Sequence, residues 1–189
     1  MNKTNAITKP TLNVKQLAVV GMMTAVICIL GPIAFQIPIS PVPISLGTLA
    51  IYFVVSVLGM KLGTLSVVIY ILLGLAGLPV FTNFMGGPSK LFGPTGGYII
   101  GYIFLAPLCG YFVNKWSGKI VMIFLGMVLG TVVLYTFGTA WLGYQLSLSF
   151  TEALFVGVIP YIPGDLVKMV IAVIIGEQLR KRLLKAGLL

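Results

Sequence analysis

The chain has 189 residues, 59% of them hydrophobic and only 8% charged, with a mean hydropathy of +1.12. Soluble domains carry about 25% charged residues, so this chain lacks the polar material to coat a water-soluble globule. Twelve Lys and Arg face three acids, for a net charge of +9. These bases lie between apolar runs rather than on a polar surface, which points to orientation in a lipid bilayer and away from nucleic acid.

A spanning helix needs roughly 20 mostly apolar residues. Candidates in chain order are residues 16–35, 45–59, 62–77, 96–113, 120–146 and 163–184. The apolar run that begins at Leu17 continues without a cleavage-site break, so it reads as a retained span and not a signal peptide. Residues 150–160 are too few to span and read as an interfacial or re-entrant piece. The predicted fold class is an all-α integral membrane protein with six transmembrane helices. It forms a single domain over residues 1–189, with a polar N-terminal tail at about 1–15 and a basic C-terminal tail at about 180–189.

Charge orients these spans. With the N-terminus inside, the inner segments hold Lys3, Lys9, Lys15, Lys61, Lys115, Lys119, Arg180, Lys181, Arg182 and Lys185. Only Lys90 and Lys168 fall on the other side. That asymmetry follows the positive-inside rule and places both termini in the cytoplasm, in the cell membrane. Proline agrees: Pro32, Pro38, Pro41, Pro43, Pro79, Pro88, Pro94, Pro160 and Pro163 all fall at the outer face. Proline fixes φ and removes a backbone donor, and non-helical backbone near a membrane must be buried in protein or line a wet cavity. The outer loops are therefore expected to be structured and to cap a ligand pocket.

The inventory for catalysis is thin. There is no histidine, and the acids are Glu152, Asp165 and Glu177. No catalytic residue, no metal site and no resident cofactor is expected, and the chain does not read as an enzyme. Cys28 and Cys109 lie in separate apolar runs and read as small core residues. Residues 86–90 do not form a GxxxxGK[ST] phosphate loop, and no such pattern occurs elsewhere.

Two stretches carry binding chemistry. In the first, residues 77–98, Phe81 and Asn83 are followed by Gly96, Gly97 and Tyr98 at the start of a span. Asn83 offers a donor and an acceptor, and the glycines leave helix N-terminal amides open to a ligand. In the second, residues 160–168, Asp165 falls near the positive end of the last helix, and Lys168, three residues on, shares its face. Charges at the hydrocarbon boundary are costly and by default mark a function. Trp141 and Tyr144, at an outer helix end, read as belt aromatics or as walls of an apolar pocket. Gly21 and Ala25 have the four-residue spacing of small residues at a helix–helix contact.

Three patterns occur in order: Ile-Pro-x-x-Pro-Val-Pro-Ile-Ser at 37–45, the Gly/Pro block ending in Gly-Pro-Thr-Gly-Gly-Tyr at 93–98, and Pro-x-x-Pro-Gly-Asp-x-x-Lys at 160–168. Together they resemble the BioY family, biotin-specific S components of energy-coupling factor (ECF) transporters, over nearly the whole chain. The resemblance implies high-affinity biotin binding and uptake, with biotin held near the outer face. It implies as partners a transmembrane coupling subunit and two ABC ATPases that use the ATP. Gly21 and Ala25 then match the coupling-subunit face of the first helix. Asn83, Asp165 and Lys168 become the polar end of a biotin site, with Phe81, Gly96, Gly97, Tyr98, Trp141 and Tyr144 around it. Whether Lys168 meets the ureido group or the carboxylate stays open at this stage. The family often has Gln where this chain has Gly47, so any contact made there is absent or supplied elsewhere. The alternative is an ion-coupled secondary transporter of another small anionic, vitamin-like solute. It would need ion-coordinating groups inside the spans, and these are nearly lacking.

Overall fold

A computed structural model describes residues 13–36, 38 and 40–189; most of the polar N-terminal tail, with Lys3 and Lys9, lies outside the described residues. Helix α1 spans Val14–Leu30. Asn13 starts it: its side chain accepts from the Lys15 amide at 3.4 Å, and Gln16 accepts from the Asn13 amide at 3.3 Å. These bonds satisfy amides that have no partner within the helix. The expected first span ran to Phe35, but α1 stops at Leu30. Proline at 32 has no N–H to continue the ladder. The chain turns there, and β1 (Ala34–Phe35) pairs antiparallel with β2 (Ile44–Ser45), Ala34 opposite Ser45.

Helix α2 covers Gly47–Leu75, with an abrupt break at Gly59, where φ is 75° and ψ is −164°. Only glycine takes that backbone region without strain. A Cβ built on Gly63 would sit 3.1 Å from the Val55 Cα, whereas eight residues of unbroken helix separate such atoms by about 12 Å. The helix therefore folds back on itself. Its two antiparallel arms, residues 47–58 and 60–75, correspond to the second and third predicted spans.

A long connection follows, with a 3-10 turn at Thr82–Phe84 and a short helix α3 (Pro88–Leu91). Helices α4 (Gly96–Lys115) and α5 (Ile120–Leu146) lie close to the predicted spans. The piece expected at 150–160 is helix α6 (Phe150–Gly157) and a 3-10 turn at Ile159–Tyr161, which runs into α7 (Ile162–Lys185). A capping box closes the start of α6, with the Glu152 carboxylate accepting from the Ser149 amide at 2.8 Å.

By length and composition four segments can cross a membrane: Gly47–Leu75, Gly96–Lys115, Ile120–Leu146 and Phe150–Lys185, with α1 a shorter apolar helix. With the arms of α2 taken separately, the bundle makes six passes. Its outer surface is apolar, as at Leu129, Val132 and Leu166, which are 49%, 56% and 41% exposed. One end carries the β1–β2 turn, the 76–95 connection and α6 (the cap end). The other carries the Gly59 turn and the start of α1 (the tail end). There Arg180 of α7 donates to the Val57 carbonyl at 2.9 Å and to the Asn114 side chain at 3.3 Å, tying α2, α4 and α7 together.

The first arm of α2 has 12 residues before Gly59 and is only about 18 Å long, short of a hydrocarbon core of about 30 Å. Replacing Gly59 by Ala tests the hairpin. The added methyl would collide with the Asn114 side chain and impose a backbone strain of about 1–3 kcal/mol. Thermal unfolding in detergent should move clearly downward; an unchanged midpoint would contradict a sharp reversal at Gly59.

Candidate functional site

Beneath the cap, α2, α4, α5 and α7 surround a small, partly open cavity. Each element contributes for a local reason. Helix α7 places Asp165 in its first turn and Lys168 one turn on. Thr48 comes from the first turn of α2, and Ser45 from the strand just before it. Tyr135 projects from the middle of α5, and Tyr98, Ile99 and Tyr102 line the cavity from α4.

The polar wall is a single network. Lys168 Nζ donates to Asp165 Oδ1 at 2.8 Å, to the Ser45 carbonyl at 2.7 Å and to Thr48 Oγ1 at 3.0 Å. An ammonium has three protons, so all three are committed. Asp165 Oδ1 also receives the Thr48 hydroxyl at 3.4 Å, and Oδ2 receives the Tyr135 hydroxyl at 2.7 Å. Asp165 is 4% exposed, and the Lys168 side chain 12%. A charge this far from water persists only when paired and hydrogen-bonded. Apart from Thr82 and Thr95, the remainder of the lining is mostly apolar or aromatic, from residues such as Val42, Pro43, Ile99 and Leu134.

The cap is fastened over this cavity by hydrogen bonds. The Tyr161 hydroxyl lies 2.7 Å from Ser40 Oγ and also reaches the Val42 carbonyl. Trp141 Nε1 donates to the Gly93 carbonyl at 3.0 Å, and the Gln145 amide to the Phe92 carbonyl at 2.6 Å. Carbonyls in irregular segments thereby gain the partners that a helix would have supplied.

Of the residues singled out in the sequence, Asp165, Lys168 and Tyr98 line the cavity. The Tyr98 hydroxyl is anchored on the Gly157 carbonyl at 3.1 Å. The others do not line the cavity. Asn83 is exposed, with left-handed backbone (φ 62°); its amide donates to the Pro32 carbonyl at 3.0 Å, and its neighbour Thr82 faces the cavity. Phe81 is fully buried, edge-on to Tyr70 at 5.5 Å between centroids. Gly96 packs on the Leu91 carbonyl and Gly97 on the Trp141 side chain, both too tightly to admit a Cβ. Tyr144 is 85% exposed. Gly21 and Ala25 lie on an exposed face of α1, and nothing stands within 4 Å of where a Gly21 Cβ would be.

Sequence reasoning missed Thr48, Ser45 and Tyr135 as members of the site. Tyr135 left a usable signal. A tyrosine in the interior of an apolar span needs a partner for its hydroxyl, and the scarcity of acids left Asp165 as a prominent candidate. Thr48 left none, since a lone threonine in an apolar helix can bond its own backbone. Among the described residues no three His, Cys, Asp or Glu side chains come together as a metal-binding group.

A family model described as the BioY family matches residues 2–185. The chain belongs to the BioY family. It is 38% identical over 167 residues to the biotin transporter BioY of Thermotoga maritima, covering 88% of this chain and 96% of that relative. It is 36% identical over 169 residues to the probable biotin transporter BioY of Pyrococcus horikoshii, covering 89% and 98%. Among solved structures, the 2.1 Å crystal structure of the S-component for biotin from an ECF-type ABC transporter is similar with a TM-score of 0.83 and 36% identity. That match covers 89% of this chain and 92% of the other. The BioY-family chain is thus a multi-pass membrane protein whose six-helix bundle agrees with the expected fold class.

The network makes a stability prediction. Lys168→Met removes one member of a buried pair and leaves Asp165 and the Ser45 carbonyl short of donors, at a cost of about 3–5 kcal/mol. Thermal unfolding in detergent should show a large loss for Lys168→Met and almost none for Lys90→Met. Equal small effects would mean that Lys168 is not committed inside the protein.

Proposed function

We propose that this chain binds biotin in the Asp165 cavity and carries it across the cell membrane as the substrate-specific S component of an ECF-type transporter, not as an enzyme. The observation that supports this reading is the fixed polar wall at one side of a cavity that is otherwise mostly apolar and aromatic. Biotin has the matching division. Its ureido ring offers two N–H donors and a carbonyl, and its thiophane ring and valeryl chain are apolar. Asp165 accepts a ureido N–H, and the fused rings lie against Tyr98, Ile99, Tyr102 and Leu134. With all its protons engaged, Lys168 chiefly holds Asp165 in place.

The remaining residues around the cavity enter the proposal through what they support. Asn83 joins the polar end by way of the turn it shares with Thr82, and Phe81, Gly96, Gly97, Trp141 and Tyr144 shape the wall and rim. The names of the relatives and of the similar solved structure support the choice of biotin.

Orientation and partners complete the reading. Lys15, Lys61, Lys115, Lys119 and the four bases from Arg180 to Lys185 all lie toward the tail end, which supports a reading with both termini in the cytoplasm and the cap outside. ATP is used by two ABC ATPases joined to this chain through a transmembrane coupling subunit. The bare α1 face at Gly21 and Ala25 is the proposed seat of that subunit, since small residues let helix backbones approach closely.

Two measurements test these statements. Asp165→Asn should weaken biotin binding to purified protein by about one to two orders of magnitude, because a hydrogen bond to a charged group contributes about 1.5–3 kcal/mol. Wild-type affinity in that variant would remove Asp165 from the site. Gly21→Leu and Ala25→Leu should leave biotin binding intact while complex assembly and uptake fail. Loss of binding would instead put α1 in the ligand-supporting core.

A further inference from the structure

The hydrogen-bond directions in the polar wall can be assigned completely around one residue. Tyr135 has a single hydroxyl proton, and it is spent on Asp165 Oδ2 at 2.7 Å. A phenolic oxygen that donates its proton retains its acceptor capacity. Next to it, Lys168 directs its three protons to Asp165, Ser45 and Thr48. Thr48 in turn accepts from Lys168 and donates to Asp165. Every proton in the cluster therefore points inward, and the unused valences left at the cavity are lone pairs.

We propose that Tyr135 is a ligand-contacting, specificity-determining residue: its oxygen, locked as an acceptor by donation to Asp165, receives one N–H of the ligand beside the N–H received by Asp165. This deepens the biotin reading and rests on it. A wall of two adjacent acceptors selects a ligand with two neighbouring N–H donors and rejects one whose matching position is itself an acceptor, because two facing acceptors are left buried and unpaired. The proposal also explains why a tyrosine stands in the middle of the apolar helix α5, where phenylalanine would fill the same space.

The test must separate contact with the ligand from mere support of Asp165. The full-length chain is prepared with 3-fluorotyrosine at position 135 by nonsense suppression, and separately as Tyr135→Phe, and both are titrated with biotin beside the wild type. Fluorine makes the hydroxyl a stronger donor to Asp165 and a weaker acceptor. The proposal expects severalfold weaker biotin binding for 3-fluorotyrosine and about tenfold weaker binding for Tyr135→Phe. Unchanged or tighter binding by the fluorinated protein would overturn it, since a residue that only holds Asp165 would do so better. Because fluorotyrosine retains the ring and hydroxyl, that arm stands even if Tyr135→Phe fails to fold. Failure of the wild-type protein to bind biotin would refute the underlying reading and, with it, this inference. Wild-type binding with a fluorine-insensitive site would refute this inference alone.

Discussion

A carboxylate and an ammonium withdrawn from water must be held by each other and by further hydrogen bonds, or the fold is lost. That constraint governs the cap end of this protein. The Asp165–Lys168 pair on α7 reaches across the chain to Ser45, Thr48 and Tyr135, so the last helix fastens the strand and helix that begin more than a hundred residues earlier. The Ser45 carbonyl belongs to β2, outside any helix. Lipid offers it no donor, and Lys168 supplies one. Charges that would destabilise an ordinary span are here what completes the hydrogen bonding of an irregular segment.

The same constraint explains why the cavity has its location. The first arm of α2 is only about 18 Å long, and the cavity lies at its start, where Ser45 and Thr48 line it. Glycine at 59 makes the opposite turn sharp enough for the two arms to lie side by side. Trp141, Gln145 and Tyr161 each take up a carbonyl of the loops overhead. The cap is thus a hydrogen-bonded lid on a short-helix recess, and the recess is polar on the one wall where the ion pair stands.

Much of this was legible in the sequence because the bilayer restricts the choices. Apolar runs located six spans, and the cost of charge in lipid singled out Asp165 and Lys168. What hydropathy could not resolve was where a helix stops inside an apolar run. Residues 31–35 and 45–46 are as apolar as a span, yet Pro32 and the β1–β2 pairing take them out of one. Nor could it resolve which way a side chain faces. Tyr144 and Tyr135 are both tyrosines of α5, but the first is exposed and the second meets Asp165. Asn83 and Thr82 are adjacent, and only Thr82 lines the cavity. Such distinctions depend on the phase of a helix or turn, which apolar composition does not record.

The central claim is that the Asp165 wall receives the ureido ring of biotin. A crystal structure of the full chain with biotin bound tests it most directly. The account predicts ligand density in this cavity, with a ureido nitrogen within hydrogen-bond distance of Asp165 and the rings against Tyr98 and Tyr102. Density in which the valerate carboxylate occupies that wall and pairs with Lys168, or in which biotin lies elsewhere, would contradict it.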